Sequence, residues 1–152
     1  MKPDLHKRNS KFKLGNFRTA FFQLPHDETE CDGFMIEHEE TGRLLFLTDC
    51  AYCPYDFSAL PVSHVLIEAN YSRSEMDTDA ANFQHVVRGH MCIETCARFV
   101  KSLNQDALKS VGLIHLSHGH ASPTDFIRQI KEVSPYTYVY IARENNHFVL
   151  EE

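Results

Sequence analysis

The sequence has little that would place it outside the ordinary globular proteins. It has no apolar run approaching the roughly 20 residues that cross a bilayer, so nothing in it predicts a membrane span. Lysine and arginine number 15 against 21 acidic residues, which argues against electrostatically driven binding of nucleic acid but not against a small phosphate ester as substrate. The basic first residues lack the apolar core of a secretory signal, and we expect a cytoplasmic protein.

Cysteine is scarce and irregularly spaced. Five cysteines do not form the even pattern of a secreted disulfide framework, so reduced thiols are expected. Cys50 and Cys53 have the C-x-x-C spacing of a redox motif or of half a zinc site, but zinc held by cysteines needs a second pair. Cys92 and Cys96 follow a helical spacing instead, which makes a redox or structural zinc protein a remote alternative.

What is present is typical of a folded domain. The 152 residues are 43% hydrophobic and 24% charged, without internal repeats or low-complexity tracts. Residues 1–10 are polar and basic and are predicted to be a flexible N-terminal segment, and residues 11–152 are predicted to form the domain.

Apolar patterning predicts an α/β protein. Alternating or continuous apolar runs indicate strands, and apolar residues at helical spacing indicate helices. The predicted strands are 17–24, 33–38, 43–48, 64–68, 111–116, 136–142 and 147–150. The predicted helices are 91–103 and 124–133, the second with Ser122 as its N-cap and Pro123 at its first position. Residues 72–87 are ambiguous and are interpreted as a mobile loop with a helical piece.

Three groups able to bind a divalent metal come just after predicted strands: His26, Asp49 and His115. The ends of strands hold side chains rigidly while the loops leave them free to react. Imidazole and carboxylate are suitable ligands for zinc, manganese or iron. Any one of these histidines, taken singly, is more often a structural residue than a ligand.

The order of the local motifs is far more specific than the spacing. The chain contains, in order, Phe-Gln-Leu-Pro-His26-Asp, Gly33-Phe-Met-Ile, Leu-Phe-Leu-Thr-Asp49, Leu-Ile-Glu68-Ala-Asn70-Tyr, Gly89-His90-Met and Leu-Ile-His115-Leu-Ser117. This series resembles the second half of the metallo-β-lactamase superfamily over about residues 11–142. The resemblance is greatest to the phosphodiesterase and nuclease-like branch, which includes bacterial exonuclease-type members and the tRNA 3′-processing endonucleases.

The resemblance implies a fold. It implies the C-terminal half of an αββα sandwich, namely one mixed sheet with flanking helices, plus edge strands from the second sheet.

The resemblance also implies roles for single residues. His26 matches a ligand of the first metal, Asp49 the aspartate that bridges two metals, and His115 a ligand of the second. His90 matches the histidine that donates a proton to the leaving oxygen or contacts the phosphate, so Asp49 and His90 are the candidate catalytic residues. The implied cofactor is a divalent metal, zinc or manganese, and the implied substrate is a phosphodiester.

One departure from the superfamily bears on mechanism. The His-x-His-x-Asp-His loop that supplies most ligands of both metals is absent from this sequence. We therefore expect the chain alone to bind a metal pair weakly or not at all, and to need a complementing polypeptide that carries this loop or a homo-oligomer.

Other polar residues near the predicted site have two interpretations. His118 and His120 could serve as additional ligands, but a solvated loop before the next helix is favoured. Glu68 and Asn70 are expected to orient loops through hydrogen bonds rather than to bind metal.

The leading functional hypothesis is an incomplete metal-dependent hydrolase, phosphodiesterase-like or nuclease-like, that needs a missing N-terminal half for activity. The alternative is a non-catalytic remnant or interaction module that retains the half-fold. Whether the chain is an enzyme in its own right stays open at this point.

Overall fold

The computed structural model describes residues 11–76, 79 and 83–150, which form seven strands and three α-helices. The strands are β1 (Lys11–Leu14), β2 (Phe17–His26), β3 (Thr29–His38), β4 (Gly42–Leu47), β5 (His64–Glu68), β6 (Ser110–Ile114) and β7 (Tyr138–Ile141). The helices are α1 (Phe83–Gly89), α2 (Ile93–Ser102) and α3 (Pro123–Val133), and a 3-10 turn spans Arg73–Glu75.

All seven strands lie in a single mixed sheet, in the order of the chain from β1 to β7. Strands β1 to β4 pair antiparallel, because short turns join them. Strands β4 to β7 pair parallel, which places their carboxyl ends at one edge of the sheet. That edge carries the candidate site described below.

One face of the sheet packs against α2 and α3 and forms the hydrophobic core. Alternate side chains of β4, β5 and β6 point to this face, because successive residues of a strand point to opposite sides. The core comprises Leu45, Leu47, Val65, Ile67, Val111 and Leu113 of the sheet, with Ile93, Cys96 and Val100 of α2 and Phe126 and Ile130 of α3. These side chains are almost completely buried, so the position of α2 relative to the strand ends is well determined.

The opposite face of the sheet is also apolar, and apart from the buried Phe21 its side chains are only partly covered. Ring centroids of Phe12 and Phe21 are 6.2 Å apart, those of Phe21 and Phe34 are 6.5 Å apart, and those of Phe34 and Phe46 are 6.4 Å apart. Phe34 and Phe46, with Leu66 on β5, are half-buried. We call the residues Phe12, Phe21, Phe34, Ile36, Leu44, Phe46 and Leu66 the open sheet face.

The predicted fold class is confirmed as a mixed sheet with flanking helices, and six of the predicted strands and both predicted helices are present within a few residues of their expected bounds. Ser122 precedes α3 with Pro123 at its start, but its side chain makes no capping hydrogen bond. In the ambiguous stretch the structure has the 3-10 turn and α1, and residues 77, 78 and 80–82 lie outside the described residues, as do residues 1–10.

Two predictions about strands are wrong. Residues 147–150 form no strand; instead, the Phe148 ring stacks on Tyr140 at 3.9 Å, and Val149 is 82% exposed. The edge strands expected from a second sheet are also not found among the described residues, because all seven strands pair in one sheet.

Among the described residues, no helix is both long enough and apolar enough to cross a membrane.

Candidate metal centre

The candidate site lies at the edge where β4, β5 and β6 end. Asp49 follows β4, Glu68 ends β5, and His115 follows β6. Because these three strands are parallel neighbours, their carboxyl ends meet and bring together residues that are far apart in the sequence.

The backbone at this edge adopts an uncommon conformation. Asp49 and His115 have φ angles of 51° and 56°, and Asp27, just after β2, has 40°. Residues other than glycine rarely occupy this left-handed region, where they cost free energy. Such conformations concentrate at functional sites, and here they turn the chain at the positions that carry the candidate ligands.

Asp49, His90 and His115 form a cluster whose potential ligand atoms all lie within 4.8 Å of one another. The Nδ1 atom of His115 is 3.3 Å from Oδ1 of Asp49, and Nδ1 of His90 is 4.0 Å from the same oxygen. The rings of His90 and His115 have centroids 5.0 Å apart. We call these three residues the metal cluster.

Glu68 contacts two members of the metal cluster, His90 and His115. Its side chain is fully buried, and its Oε1 accepts hydrogen bonds from Nδ1 of His90 at 2.7 Å and lies 3.0 Å from Nδ1 of His115. Its Oε2 accepts a hydrogen bond from the backbone N–H of Cys50 at 2.9 Å. Glu68 therefore uses both oxygens to orient neighbours, as predicted for it from the sequence.

His26 lies at the rim of the metal cluster. Its Nδ1 donates a hydrogen bond to the carbonyl of Gly89 at 2.6 Å, so Nε2 is the ring nitrogen that is available to bind a metal. The ring centroids of His26 and His90 are 5.2 Å apart. Gly89 allows this approach, since a Cβ at that position would fall 2.9 Å from Cε1 of His26.

Asp27 and His85 add a second carboxylate–imidazole pair beside His26. Nδ1 of His85 lies 3.1 Å from Oδ2 of Asp27, and its ring centroid is 6.4 Å from that of His26. His85 stands on α1, within the stretch whose sequence is ambiguous, and sequence reasoning did not single it out. A histidine on a short polar helix gives no periodic signal that would have identified it.

Asn70 joins the loops that carry the site. Its side-chain amide donates to the carbonyl of His115 at 2.8 Å, and its backbone carbonyl accepts from the N–H of Ser117 at 2.8 Å. Its own N–H donates to the carbonyl of Met91. Asn70 thus fixes the positions of His115 and of the segment after His90, in agreement with its predicted role.

The other histidines proposed as ligands do not join the metal cluster. His118 is exposed and borders a cavity that also includes His115. His120 donates from Nδ1 to the carbonyl of Glu75 at 3.2 Å, and its own carbonyl accepts from Ser72. This stretch packs on the 3-10 turn, which agrees with the loop interpretation of His118 and His120.

The cysteines lie near the site without forming a metal cluster among the described residues. Their thiols are unpaired. Burial raises the pKa of the Cys50 thiol far above its ordinary value and raises that of Cys53 to about 11. Burial also raises the pKa of Cys31, and the nearby Asp49 carboxylate adds to the effect. Protonated thiols are poor metal ligands and poor nucleophiles, which disfavours the redox and zinc alternatives.

Hydrogen bonding to Glu68 raises the pKa of His90 above its ordinary value, against the opposing effect of partial burial. The negative charges of Glu68 and Asp49 act in the same direction as the hydrogen bond. His90 therefore holds its proton more firmly than a free histidine, at a position next to two candidate ligands.

The chemistry of the donor set fits a divalent cation. One carboxylate and two imidazoles are nitrogen and oxygen donors of the kind that zinc and manganese accept. The buried carboxylate of Glu68 behind both rings is the outer partner that ligating histidines usually have. The residues that could hold an ion are Asp49, His115 and His90, with His26 at the rim.

Comparison with known proteins identifies the fold of the chain but no family. No protein-family model matches the chain, and no curated protein matches it. Solved structures do resemble it. Among them are the metallo-β-lactamase fold protein YhfI from Bacillus subtilis (TM-score 0.62, 17% identity), a diphosphatase from the PhnP family (0.59, 15%) and unliganded yeast PDE1 (0.56, 12%).

These matches cover 90%, 90% and 91% of this chain, but only 51%, 44% and 47% of the respective solved chains. The chain thus spans about half the length of the structures that it resembles. At such identities the likeness shows the fold alone, and the fold is that of the metallo-β-lactamases over the matched part.

Proposed function

We propose that this chain carries part of the active site of a metal-dependent hydrolase that acts on phosphate esters, phosphodiesterase-like or nuclease-like. The observation that supports this most directly is the metal cluster of Asp49, His90 and His115, held within 4.8 Å at the carboxyl edge of a metallo-β-lactamase-type sheet. One of the structurally similar proteins is a diphosphatase, which supports phosphate chemistry.

Asp49 and His115 are proposed as the metal ligands from this sheet, with His26 as a further ligand at the rim. The hydrogen bond from Nδ1 to the Gly89 carbonyl leaves Nε2 of His26 as its only available donor atom. When bound, a divalent cation supplies Lewis acidity toward a phosphoryl group and toward water.

His90 is proposed as the proton donor to the leaving oxygen. Its Nδ1–H is held by the buried carboxylate of Glu68, which fixes the ring and favours its protonated form. Nε2 can then carry the proton that is transferred. Glu68 acts through His90 and His115, and is a positioning residue.

The remaining ligands are proposed to come from a segment with the His-x-His-x-Asp-His pattern, in a complementing polypeptide or in a preceding part of a longer chain. The three proposed ligands Asp49, His115 and His26 do not complete two metal positions. The open sheet face supports such a partner, because half-buried Phe34, Phe46 and Leu66 form an apolar surface that a second layer would cover.

The test is hydrolysis of bis-p-nitrophenyl phosphate with manganese or zinc. The chain is assayed alone and together with the product of the neighbouring open reading frame, if that product carries the His-x-His-x-Asp-His pattern. We expect the mixture to hydrolyse this substrate. The activity should be at least about 100-fold lower with Asp49→Asn or His115→Ala, since each removes a proposed metal ligand. His147→Gln is the matched control, because this exposed histidine lies outside the metal cluster.

A mixture that contains both halves and hydrolyses nothing would contradict the proposal. Stable complex formation without hydrolysis would favour the alternative of a non-catalytic interaction module, for which the open sheet face is the supporting observation.

A further inference from the structure

Three arginines border one cavity next to His26. The cavity has a volume of about 720 Å³, and its lining includes Arg73, Arg88 and Arg98 together with His26. The arginines come from three separate elements, namely the 3-10 turn, the end of α1 and the middle of α2. We call Arg73, Arg88 and Arg98 the arginine pocket.

The arginines of the pocket differ from Arg18, Arg43 and Arg128, which form ion pairs. Arg18 and Arg43 pair with Glu37, and Arg128 pairs with carboxylates of its own helix. Within residues 11–76, 79 and 83–150, no carboxylate lies within ion-pair distance of the guanidinium groups of the pocket.

The guanidinium groups of Arg73 and Arg98 share one hydrogen-bond acceptor. Arg73 and Arg98 both donate to Oγ1 of Thr95, at 3.5 and 3.1 Å. Thr95 lies in the first turn of α2 and also borders the cavity. Two positively charged groups are thus brought to one hydroxyl, and no carboxylate of the described part of the chain lies within ion-pair distance of either, an arrangement that favours an anion.

Two carboxylates also border the cavity, and they do not neutralise it. Asp27 already interacts with His85 at 3.1 Å, and Glu28 is exposed on the turn between β2 and β3. Three guanidinium groups thus line the cavity with two carboxylates, in a chain whose formal net charge is −6. The carboxylate of Glu94, beside Arg73, accepts hydrogen bonds from the hydroxyl of Ser72 and from the backbone N–H of Arg73. A local positive excess in an acidic protein concentrates an anionic ligand there.

The arginine pocket adjoins the metal cluster. His26 borders the pocket, and its ring centroid is 5.2 Å from that of His90. The carbonyl of Arg88 accepts a hydrogen bond from the N–H of Asp27, and the next carbonyl accepts from His26. The backbone that carries Arg88 is therefore fixed to the rim of the candidate metal centre.

We propose that the arginine pocket binds a second phosphate of the substrate, next to the phosphate that is processed at the metal cluster. This inference rests on the proposed function, which assigns the first phosphate to the metal cluster. The ligand is a phosphate group, whose oxygens can accept paired hydrogen bonds from a planar guanidinium group. The substrate class is thereby narrowed to compounds with at least two linked phosphates, such as an oligonucleotide.

Equilibrium binding in the presence of EDTA tests the proposal separately from catalysis. The probes are a fluorescein-labelled hexathymidylate, followed by anisotropy, and inorganic phosphate, followed by calorimetry. Arg73→Gln, Arg88→Gln and Arg98→Gln are each expected to weaken hexathymidylate binding roughly three- to tenfold, because each removes a charge-assisted hydrogen bond to phosphate. The same variants should flatten the dependence of log Kd on log salt concentration.

Arg128→Gln is the matched control, since Arg128 is an exposed arginine already paired with Asp125 and Glu132. It should bind hexathymidylate as the original chain does. Arg98→Lys, which keeps the charge, should recover part of the affinity lost in Arg98→Gln, and circular dichroism checks that every variant is folded.

Equal binding by all variants, or equal weakening by Arg128→Gln, would overturn the proposal. Arginine-dependent binding of inorganic phosphate without binding of hexathymidylate would also overturn it, because the pocket would then be a site for free phosphate. Hydrolysis of bis-p-nitrophenyl phosphate by the complemented mixture separates the two claims. A mixture that contains both halves and hydrolyses nothing would contradict the proposed function and leave the result for the arginine pocket intact.

Discussion

The buried carboxylate of Glu68 accepts a hydrogen bond of 2.7 Å from Nδ1 of His90. The same oxygen lies 3.0 Å from Nδ1 of His115, so one carboxylate orients two imidazole rings of the metal cluster. Glu68 ends β5 in the middle of the sheet, where its own position is fixed by neighbours on both sides. The preorganisation of the site thus depends on a residue that is not itself a proposed ligand.

Replacing Glu68 by glutamine removes this charge while preserving the shape of the side chain. We expect metal affinity to fall about 10- to 100-fold, as is typical when the outer partner of a ligating histidine is lost. The pKa of His90 should fall toward its ordinary value, which an NMR titration of the histidine ring would measure. Glu40→Gln, at an exposed position, should change neither quantity. Unaltered affinity and an unaltered His90 titration in Glu68→Gln would contradict this role.

The raised pKa of His90 predicts how stability depends on pH in the metal-free chain. Since the folded pKa exceeds the ordinary value of 6.5, protonated His90 stabilises the folded state below about pH 6.5. This contribution is lost as the pH rises through the higher folded pKa. The difference in free energy of unfolding between the chain and His90→Gln, measured by urea denaturation in EDTA, should therefore shrink between weakly acidic and alkaline pH. A difference in the free energy of unfolding that grows with pH would contradict the upward direction of the His90 pKa shift.

A substitution at Gly89 tests how closely His26 packs at the rim of the metal cluster. A Cβ there would lie 2.9 Å from Cε1 and 3.0 Å from Nδ1 of His26, so Gly89→Ala must displace that ring. We expect a loss of about 1 to 3 kcal/mol in the free energy of unfolding, as for overpacking elsewhere. Gly119→Ala is the matched control, because no atom lies within 4 Å of its Cβ position, and its effect should stay within about 0.5 kcal/mol. Similar effects of the two substitutions on stability would contradict the packing described for His26.

The thiols near the site should react slowly. Burial raises the pKa of Cys53 from 9.0 to about 11, so its thiolate fraction at pH 8 falls by about 100-fold. Alkylation of Cys53 by iodoacetamide in the folded chain, followed by peptide mass spectrometry, should be slower by at least that factor than in urea. Rapid modification of Cys53 in the folded chain would revive the redox interpretation of Cys50 and Cys53.

Much of the fold was predictable because its strands carry strong local signals. The run from His64 to Glu68 is apolar and β-branched, and it forms β5 with the predicted bounds. The same local rule failed at residues 147–150, where Phe148 packs on Tyr140 instead of extending the sheet. Apolar character alone does not reveal whether a segment finds an edge strand with which to pair.

The site was predictable in part. Its motifs pointed to His26, Asp49, His90 and His115, and the parallel ends of β4 and β6, on either side of β5, bring Asp49 and His115 together. The sequence could not show that His90 lies within the cluster, because its position depends on the packing of α1 against β2 and on the contact between Gly89 and His26. The arginine pocket was hidden for the same reason, since Arg73, Arg88 and Arg98 are adjacent only in the folded chain.

The most direct test of the central claim is calorimetric titration of the chain with zinc at neutral pH. The metal cluster predicts one weak site per chain, whose affinity falls by at least about tenfold in Asp49→Asn and in His115→Ala. His147→Gln should titrate like the original chain. Zinc binding that is the same in all four proteins would contradict the assignment of Asp49 and His115 as metal ligands.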